Sequence, residues 1–530
     1  MHRTFIPMSL ALLSALSAAP TLAAAAPAEH AAATPLYDAS IARLEAKMQA
    51  GTLTSAQLTA MFIHRIDTID RAGPHLNAVI ELNPDALAIA RGIDAERRAG
   101  KPLGPLAGIP VLLKDNIDTG DKMMTTAGSL ALVGAPAATD ATLVARLRAA
   151  GAVILGKTNL SEWANYRSNH SSSGWSGRGG QTRNPYVLTR NPCGSSSGSA
   201  VAVSAGLSTV AVGSETDGSL VCPGSVNGIV AIKPTLGLIP RTGIVPISHS
   251  QDTAGPMARD VTDAARLLTV MAGSDPADPA SADANAHKTD YTRFLEAGGL
   301  KGKRIGVVRA LAGDDPDMLR VLDQSIAALR KAGATVIDPV VIPHLDDYGK
   351  DENLVLSYEF KHDLDAYLAT RSGVPVKTLA DIIAFNQAHA AEEMPWFGQG
   401  LMIAAEKRGP LTDPKYLKAL ADEKRLAGPE GIDAALQKDH LDALLAPTAS
   451  PAWTTDLVNG DHVGVSSSSP AAVAGYPDIT VPAGFVHGLP VGVSFFGAKW
   501  SEPTLITIAY GFEQATHARR DPRFLAHATP

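Results

Sequence analysis

The chain has 530 residues, a formal net charge of −7, 45% hydrophobic residues and only 5% aromatics. That length is ample for a sizeable core, and the mildly acidic balance gives no basic footprint for a nucleic-acid partner. The fifteen histidines show neither a His-Glu-x-x-His pair nor Cys/His ligand spacing, so no metal and no cofactor are expected.

At the N-terminus, Met1-His2-Arg3 is a short basic start. Residues 5–19 are apolar apart from Pro7 and small serines, and residues 21–26 offer small-residue cleavage points. This reads as a secretory signal peptide over 1–26 and predicts an exported protein, periplasmic or secreted. The run is short and proline-interrupted for a membrane anchor. No linker or repeat follows, so 36–525 reads as one large α/β domain.

Thr54 opens a helix with a capping-box match at Gln57, and Leu58, Phe62, Ile66 and Ile69 fall on one face of it. Residues 78–82 read as a strand. Val111, Leu112 and Leu113 read as a short buried strand with Lys114 at its carboxyl end. Leu143, Val144 and Leu147 mark a helix, and 152–155 a strand. The run 151–158 matches the spacing of a phosphate-binding P-loop. Its middle is an apolar strand, however, and a helix-like segment precedes it, so a helix-to-strand turn at Gly151 is expected instead. The small-residue run 200–205 can pack a helix closely. Residues 304–309, 318–331 and 335–337 form a strand–helix–strand unit. The segment 356–426 looks mainly helical and is the expected cover over the substrate. Strands follow at 441–445, 479–481 and 490–496, and Ser501 opens a last helix.

Two serine-bearing runs carry the chemistry: Cys193-Gly194-Ser195-Ser196-Ser197-Gly198-Ser199 and Gly213-Ser214-Glu215-Thr216-Asp217-Gly218-Ser219. A serine hydroxyl needs a base to become a nucleophile. A lysine serves only when burial brings its pKa toward working pH, and Lys114 is the candidate. Glycines beside the serines let backbone N–H groups approach an oxyanion. The residues alone leave other readings open. Gly194-Ser195-Ser196-Ser197-Gly198 fits a nucleophile elbow centred on Ser196 in a histidine-dependent hydrolase, although Arg190-Asn191-Pro192-Cys193 makes a poor preceding strand. A non-catalytic binding protein could use the same glycine-rich loops to hold an anion.

From Gly108 to Thr235 the sequence resembles the amidase signature family. The resemblance is carried by Gly108-Ile109-Pro110-Val111-Leu112-Leu113-Lys114-Asp115-Asn116, by the two serine runs, and by Ile232-Lys233-Pro234-Thr235. Asp252-Thr253-Ala254-Gly255-Pro256-Met257 and a distal block from Ala474-Gly475-Tyr476-Pro477 to Gly488-Leu489-Pro490-Val491-Gly492 extend it. It implies a large mixed sheet flanked by helices. It implies Ser219 as nucleophile, Ser195, after a cis peptide, as the bridging serine, and Lys114 as general base. The oxyanion hole would be the backbone N–H groups of Thr216, Asp217, Gly218 and Ser219. Three positions depart from the family pattern: Cys193, Ser197 and Asp217 each replace a glycine.

Ser214-Glu215-Thr216-Asp217-Gly218-Ser219 and Ser161-Glu162-Trp163-Ala164-Asn165 are similar to the peptide amidase branch of that family. This implies removal of the C-terminal amide of peptides, giving acid and ammonia through an acyl-enzyme. The partner is then a small-molecule or peptide amide. A general amidase or esterase of the same family is the alternative, and export argues against a glutamine-dependent amidotransferase component. Cys193 and Cys222 flank the two serines, and since a domain this large needs no staple, two packed free thiols are expected.

Overall fold

Val111-Leu112-Leu113 offers no polar position to water, so a strand made of it must be covered on both faces, as in the interior of a parallel sheet. The computed structural model describes residues 1–2 and 35–528, and the expected signal segment lies outside the described residues apart from Met1 and His2. Its strands are β1 (Val79–Leu82), β2 (Pro110–Lys114), β3 (Val153–Thr158), β4 (Trp175–Ser176), β5 (Gly180–Gln181), β6 (Val210–Glu215) and β7 (Val230–Lys233). They continue with β8 (Thr253–Ala258), β9 (Arg304–Val307), β10 (Thr335–Ile337), β11 (Ala443–Pro447), β12 (Asp478–Val486) and β13 (Leu489–Phe496). Eleven of them form one sheet in the order β1-β3-β2-β6-β8-β7-β12-β13-β11-β9-β10, while β4 and β5 pair separately.

The sheet is mixed. β2 runs parallel to both β3 and β6, and β9 runs parallel to both β10 and β11. The strands between these two parallel ends are joined antiparallel. Helices flank the sheet, giving a single large α/β domain as expected. Every residue of β2, β3, β6, β7 and β8 is buried. In the β2–β6 register Leu113 faces Val212, which brings Lys114 beside the Gly213–Ser214 end of β6.

The sequence-level helix signals meet their physical counterparts. Thr54 and Gln57 close both bonds of a capping box on Ser55–Arg65, and Leu58, Phe62 and Ile66 are buried. The α-geometry stops at Arg65, and Ile66–Arg71 continues as a π-turn. The helix Thr142–Ala149 ends before Gly151, which has φ of +84° and touches Ala107 so closely that a Cβ would fall 2.8 Å from its Cα. The residues after it are β3, and Lys157 on that strand is buried with its amine on Ile117 O (2.6 Å) and Thr125 Oγ1 (2.9 Å). A phosphate loop is therefore absent there. The expected cover is helical: Gly349–Thr370, Leu379–Ala388, Ala390–Glu393, Gly400–Glu406 and Pro414–Ala427. No helix among the described residues is long and apolar enough to cross a membrane.

One buried ion pair fastens this cover to the sheet side. Arg167 donates to Glu162 Oε1 at 2.6 Å, to the Glu393 carbonyl, and to Phe397 O at 3.2 Å. Its guanidinium stacks 4.3 Å from the Phe397 ring and 5.0 Å from that of Trp175. Burial lifts the Glu162 carboxyl to about 8, against the pull of Arg167. Removing one partner of such a pair strands the others without water. Arg167→Met should lower the unfolding free energy in urea by about 3–5 kcal/mol. A loss below about 1 kcal/mol would show that the pair does not anchor the cover.

Candidate active site

The carboxyl ends of β2 and β6 meet where the helix Ser197–Ser204 packs behind them. All eight residues of that helix are small and buried, so its N-terminal serines are pressed against β6. Ser196 Oγ donates to Ser214 O at 2.9 Å, and Ser196 N–H donates to Ser219 O at 3.2 Å. The Gly194–Ser195 peptide is cis. Gly194 is packed so closely that a Cβ there would overlap Ser161 Oγ.

Lys114 is fully buried. Its Nζ lies 2.7 Å from Ser195 Oγ, 3.0 Å from Ser214 O and 2.9 Å from Ser214 Oγ. Asn116 Nδ2 donates to the same Ser214 hydroxyl at 2.9 Å. Among the described residues Lys114 makes no ion pair. Burial pushes its amine down to about 7, against the raising charges of Asp252 and Glu215.

Those two carboxylates are engaged elsewhere. Asp252 accepts from Thr216 Oγ1 at 2.6 Å and from the N–H groups of Ile247 and Ser248 at 2.7 and 2.9 Å. Burial still lifts it to about 6. Glu215 accepts from the N–H groups of Leu220 and Val221 at 2.7 and 3.1 Å, and burial raises it too, with Lys233 opposing.

Between Glu215 and Leu220 the chain turns through Thr216, Asp217, Gly218 and Ser219. Gly218 has φ of +77°, and Ser468 Oγ would stand 3.0 Å from a Cβ there. Among the described residues the N–H groups of Asp217, Gly218 and Ser219 meet no protein acceptor, an arrangement suited to an oxyanion. Thr216, Gly218 and Ser219 are buried, while Asp217 keeps part of its surface. The structure thus joins Lys114 to Ser195 directly, and brings Ser219 to the same helix N-terminus through its carbonyl. No hydrogen bond links Ser219 Oγ to Ser195 Oγ. Ser196 is turned away, onto the β6 backbone.

The expectation of two free thiols is overturned. Cys193 and Cys222 form a disulfide, with Cα atoms 6.1 Å apart. Domain size says nothing of what the two serine runs require. Once Ser195 and Ser219 share a site, their neighbours must pass each other, and the bond clips the Ser195 loop to the helix after Ser219.

A cavity of about 500 Å³ lies alongside, lined by Asn116, Ser214, Thr216 and Asp252 and by the 241–249 loop. Nearby, His249 places Nδ1 2.8 Å from Asp363 and Nε2 3.3 Å from Glu359. Burial pushes this imidazole down, but the Asp363 hydrogen bond and the Glu359 charge outweigh it and raise it. Both ring nitrogens face carboxylates, which is ion-pair geometry.

Ser214, Asn116, Glu215 and Asp252 each lie inside a sequence motif, yet nothing in those motifs singles them out as individual contributors. Glu352, Ser468 and Ser469 meet Asp217 from distant parts of the chain, and no local pattern marks them.

The amidase family model matches residues 57–506. The chain belongs to the amidase signature family. It is 43% identical over 501 residues to a probable amidase of Arabidopsis thaliana, covering 93% of this chain and 92% of the relative. It is similar in structure to the native peptide amidase of Stenotrophomonas maltophilia, with 55% identity, a TM-score of 0.89, and 92% of this chain and 99% of that one covered. It also resembles an amidase family protein from Bacillus anthracis, with 38% identity, a TM-score of 0.83, and 92% of each chain covered. The protein is therefore an amidase, a hydrolase of amide bonds, as the family resemblance implied.

The disulfide closes a loop with a sequence separation of 29, and a cross-link of that span stabilises by about 3.6 kcal/mol in the chain-entropy account. Cys193→Ser/Cys222→Ser should lose about that much in chemical denaturation. An unchanged denaturation midpoint would show that the clip adds nothing to the fold.

Proposed function

We propose that this amidase hydrolyses the C-terminal carboxamide of peptides through a serine–serine–lysine relay. The observation that carries the reading is a fully buried lysine, without a counter-ion among the described residues, 2.7 Å from a serine hydroxyl. A neutral amine has two N–H donors and one lone pair. The carbonyl and hydroxyl of Ser214 take the donors, which leaves the lone pair facing Ser195.

In this mechanism Ser219 Oγ attacks the amide carbon as its proton passes to Ser195, whose own proton passes to Lys114. The oxyanion sits against the N–H groups of the 216–219 turn. As the C–N bond breaks, the relay returns its proton to nitrogen and ammonia leaves. Water then attacks the acyl-Ser219 ester along the same path and releases the acid. The open Ser219–Ser195 contact closes when substrate is bound, since such contacts are often long in a free enzyme. The peptide substrate class is supported by the likeness to peptide amidase, a protein also solved with the competitive inhibitor chymostatin at 55% identity and a TM-score of 0.89.

Ammonia release from an amidated dipeptide tests the reading. Turnover should fall by about a thousandfold or more in Ser219→Ala and Lys114→Ala, and persist in Ser196→Ala. Because charged Lys114 cannot accept a proton, kcat/KM should rise with one-proton dependence through pH about 7 and then level. Release that survives in Ser219→Ala would overturn the nucleophile. A preference for simple aliphatic amides over peptide amides would overturn the substrate class.

We infer further that the chain is exported. The basic–apolar–small pattern of residues 1–26 supports this, as does a disulfide, which persists in oxidising compartments. Fractionation should find the protein in the periplasm or medium. Recovery in the cytosol would refute export.

A further inference from the structure

Asp217 takes no part in the relay, yet two distant segments converge on it. Ser468 Oγ donates to its Oδ1 at 2.5 Å, and Ser469 Oγ donates to its Oδ2 at 2.6 Å. From the cover helix Gly349–Thr370, Glu352 comes within hydrogen-bonding reach of the same carboxylate. Gln251 ties this arrangement to the turn: its amide Nε2 donates to Glu352 Oε1 at 3.1 Å and to Thr216 O at 3.3 Å. No lysine or arginine comes within ion-pair distance of Asp217 or Glu352 among the described residues. Burial and the Asp217 charge hold the Glu352 carboxyl well above the usual carboxylate range. In its protonated form Glu352 would be a third donor to Asp217.

The chemistry of such a pair is one-sided. A carboxylate only accepts hydrogen bonds, and without a cation beside it, it repels a second carboxylate. A primary carboxamide offers two N–H donors. An ester's leaving oxygen offers none, and the product acid carries a negative charge. Asp217 is also the member of the turn that keeps exposed surface, two residues from Ser219.

We propose that Asp217 is the specificity-determining residue that selects a carboxamide over a carboxylate, accepting an N–H of the leaving amide and repelling the product acid. Glu352, Ser468 and Ser469 are positioning residues that aim it. The inference rests on Ser219 as the reacting centre, and it accounts for an acidic side chain where the family pattern has glycine.

Two measurements separate this inference from that reading. In the Ser219→Ala protein, calorimetry compares an amidated dipeptide with its free acid. The amide should bind at least about tenfold tighter, and adding Asp217→Asn should collapse the ratio toward unity. Equal binding before the second substitution, or a ratio that Asp217→Asn leaves unchanged, would overturn the inference whether or not Ser219 is the nucleophile. In the otherwise native enzyme, Asp217→Asn should cut kcat/KM for the dipeptide amide by about 10–100-fold, the worth of a hydrogen bond to a charged group. The methyl ester of the same dipeptide should change by less than about threefold. Parallel losses on amide and ester would assign Asp217 a merely structural role. Glu352→Gln, which keeps a donor, should retain amide turnover, and Glu352→Ala should behave like Asp217→Asn. Matching losses in both Glu352 variants would remove Glu352 from the pair.

Discussion

The structure depends on keeping one amine dry. Lys114 ends a strand whose other members are apolar, and the sheet covers it completely. A buried ammonium without a counter-ion is costly, and the protein meets that cost by letting the amine lose its proton near neutrality. A surface lysine of ordinary pKa would stay charged and could not take a proton from a serine.

Placement of the partners follows from the same sheet. β2 brings the amine, and β6, its parallel neighbour, ends in Ser214 and Glu215 and runs straight into the 216–219 turn. The helix Ser197–Ser204 approaches β6 because it carries nothing larger than valine. Gly194 and Gly218 admit contacts that a side chain would block. The disulfide then joins the two serine-bearing runs covalently, and Arg167 joins the cover to the loops beneath it.

Much of this was legible in the chain. The buried strand before Lys114, the capping box at Thr54, the strand–helix–strand unit over 304–337 and the helical cover all follow from apolar periodicity and caps, which are local signals. The antiparallel centre of the sheet depends on neighbours far along the chain. The disulfide escaped because domain size is a poor guide to it, whereas the proximity that the serines themselves impose is a good one. Glu352, Ser468 and Ser469 escaped because a helical glutamate and two serines in a polar stretch look like ordinary surface until the fold brings them to Asp217.

The acids nearest Lys114 are held by other partners. Asp252 and Glu215 both act on Lys114, and a free carboxylate in either place would hold the amine charged. Each is instead spent on the turn. Asp252 takes the Thr216 hydroxyl and two backbone N–H groups, and Glu215 takes the N–H groups of Leu220 and Val221. Burial raises both carboxyls as well. The two acids thus fix the backbone on either side of Ser219 while leaving Lys114 free to titrate. The geometry of the turn and the basicity of the lysine are consequently set by the same side chains, and a change at either acid should be felt in both.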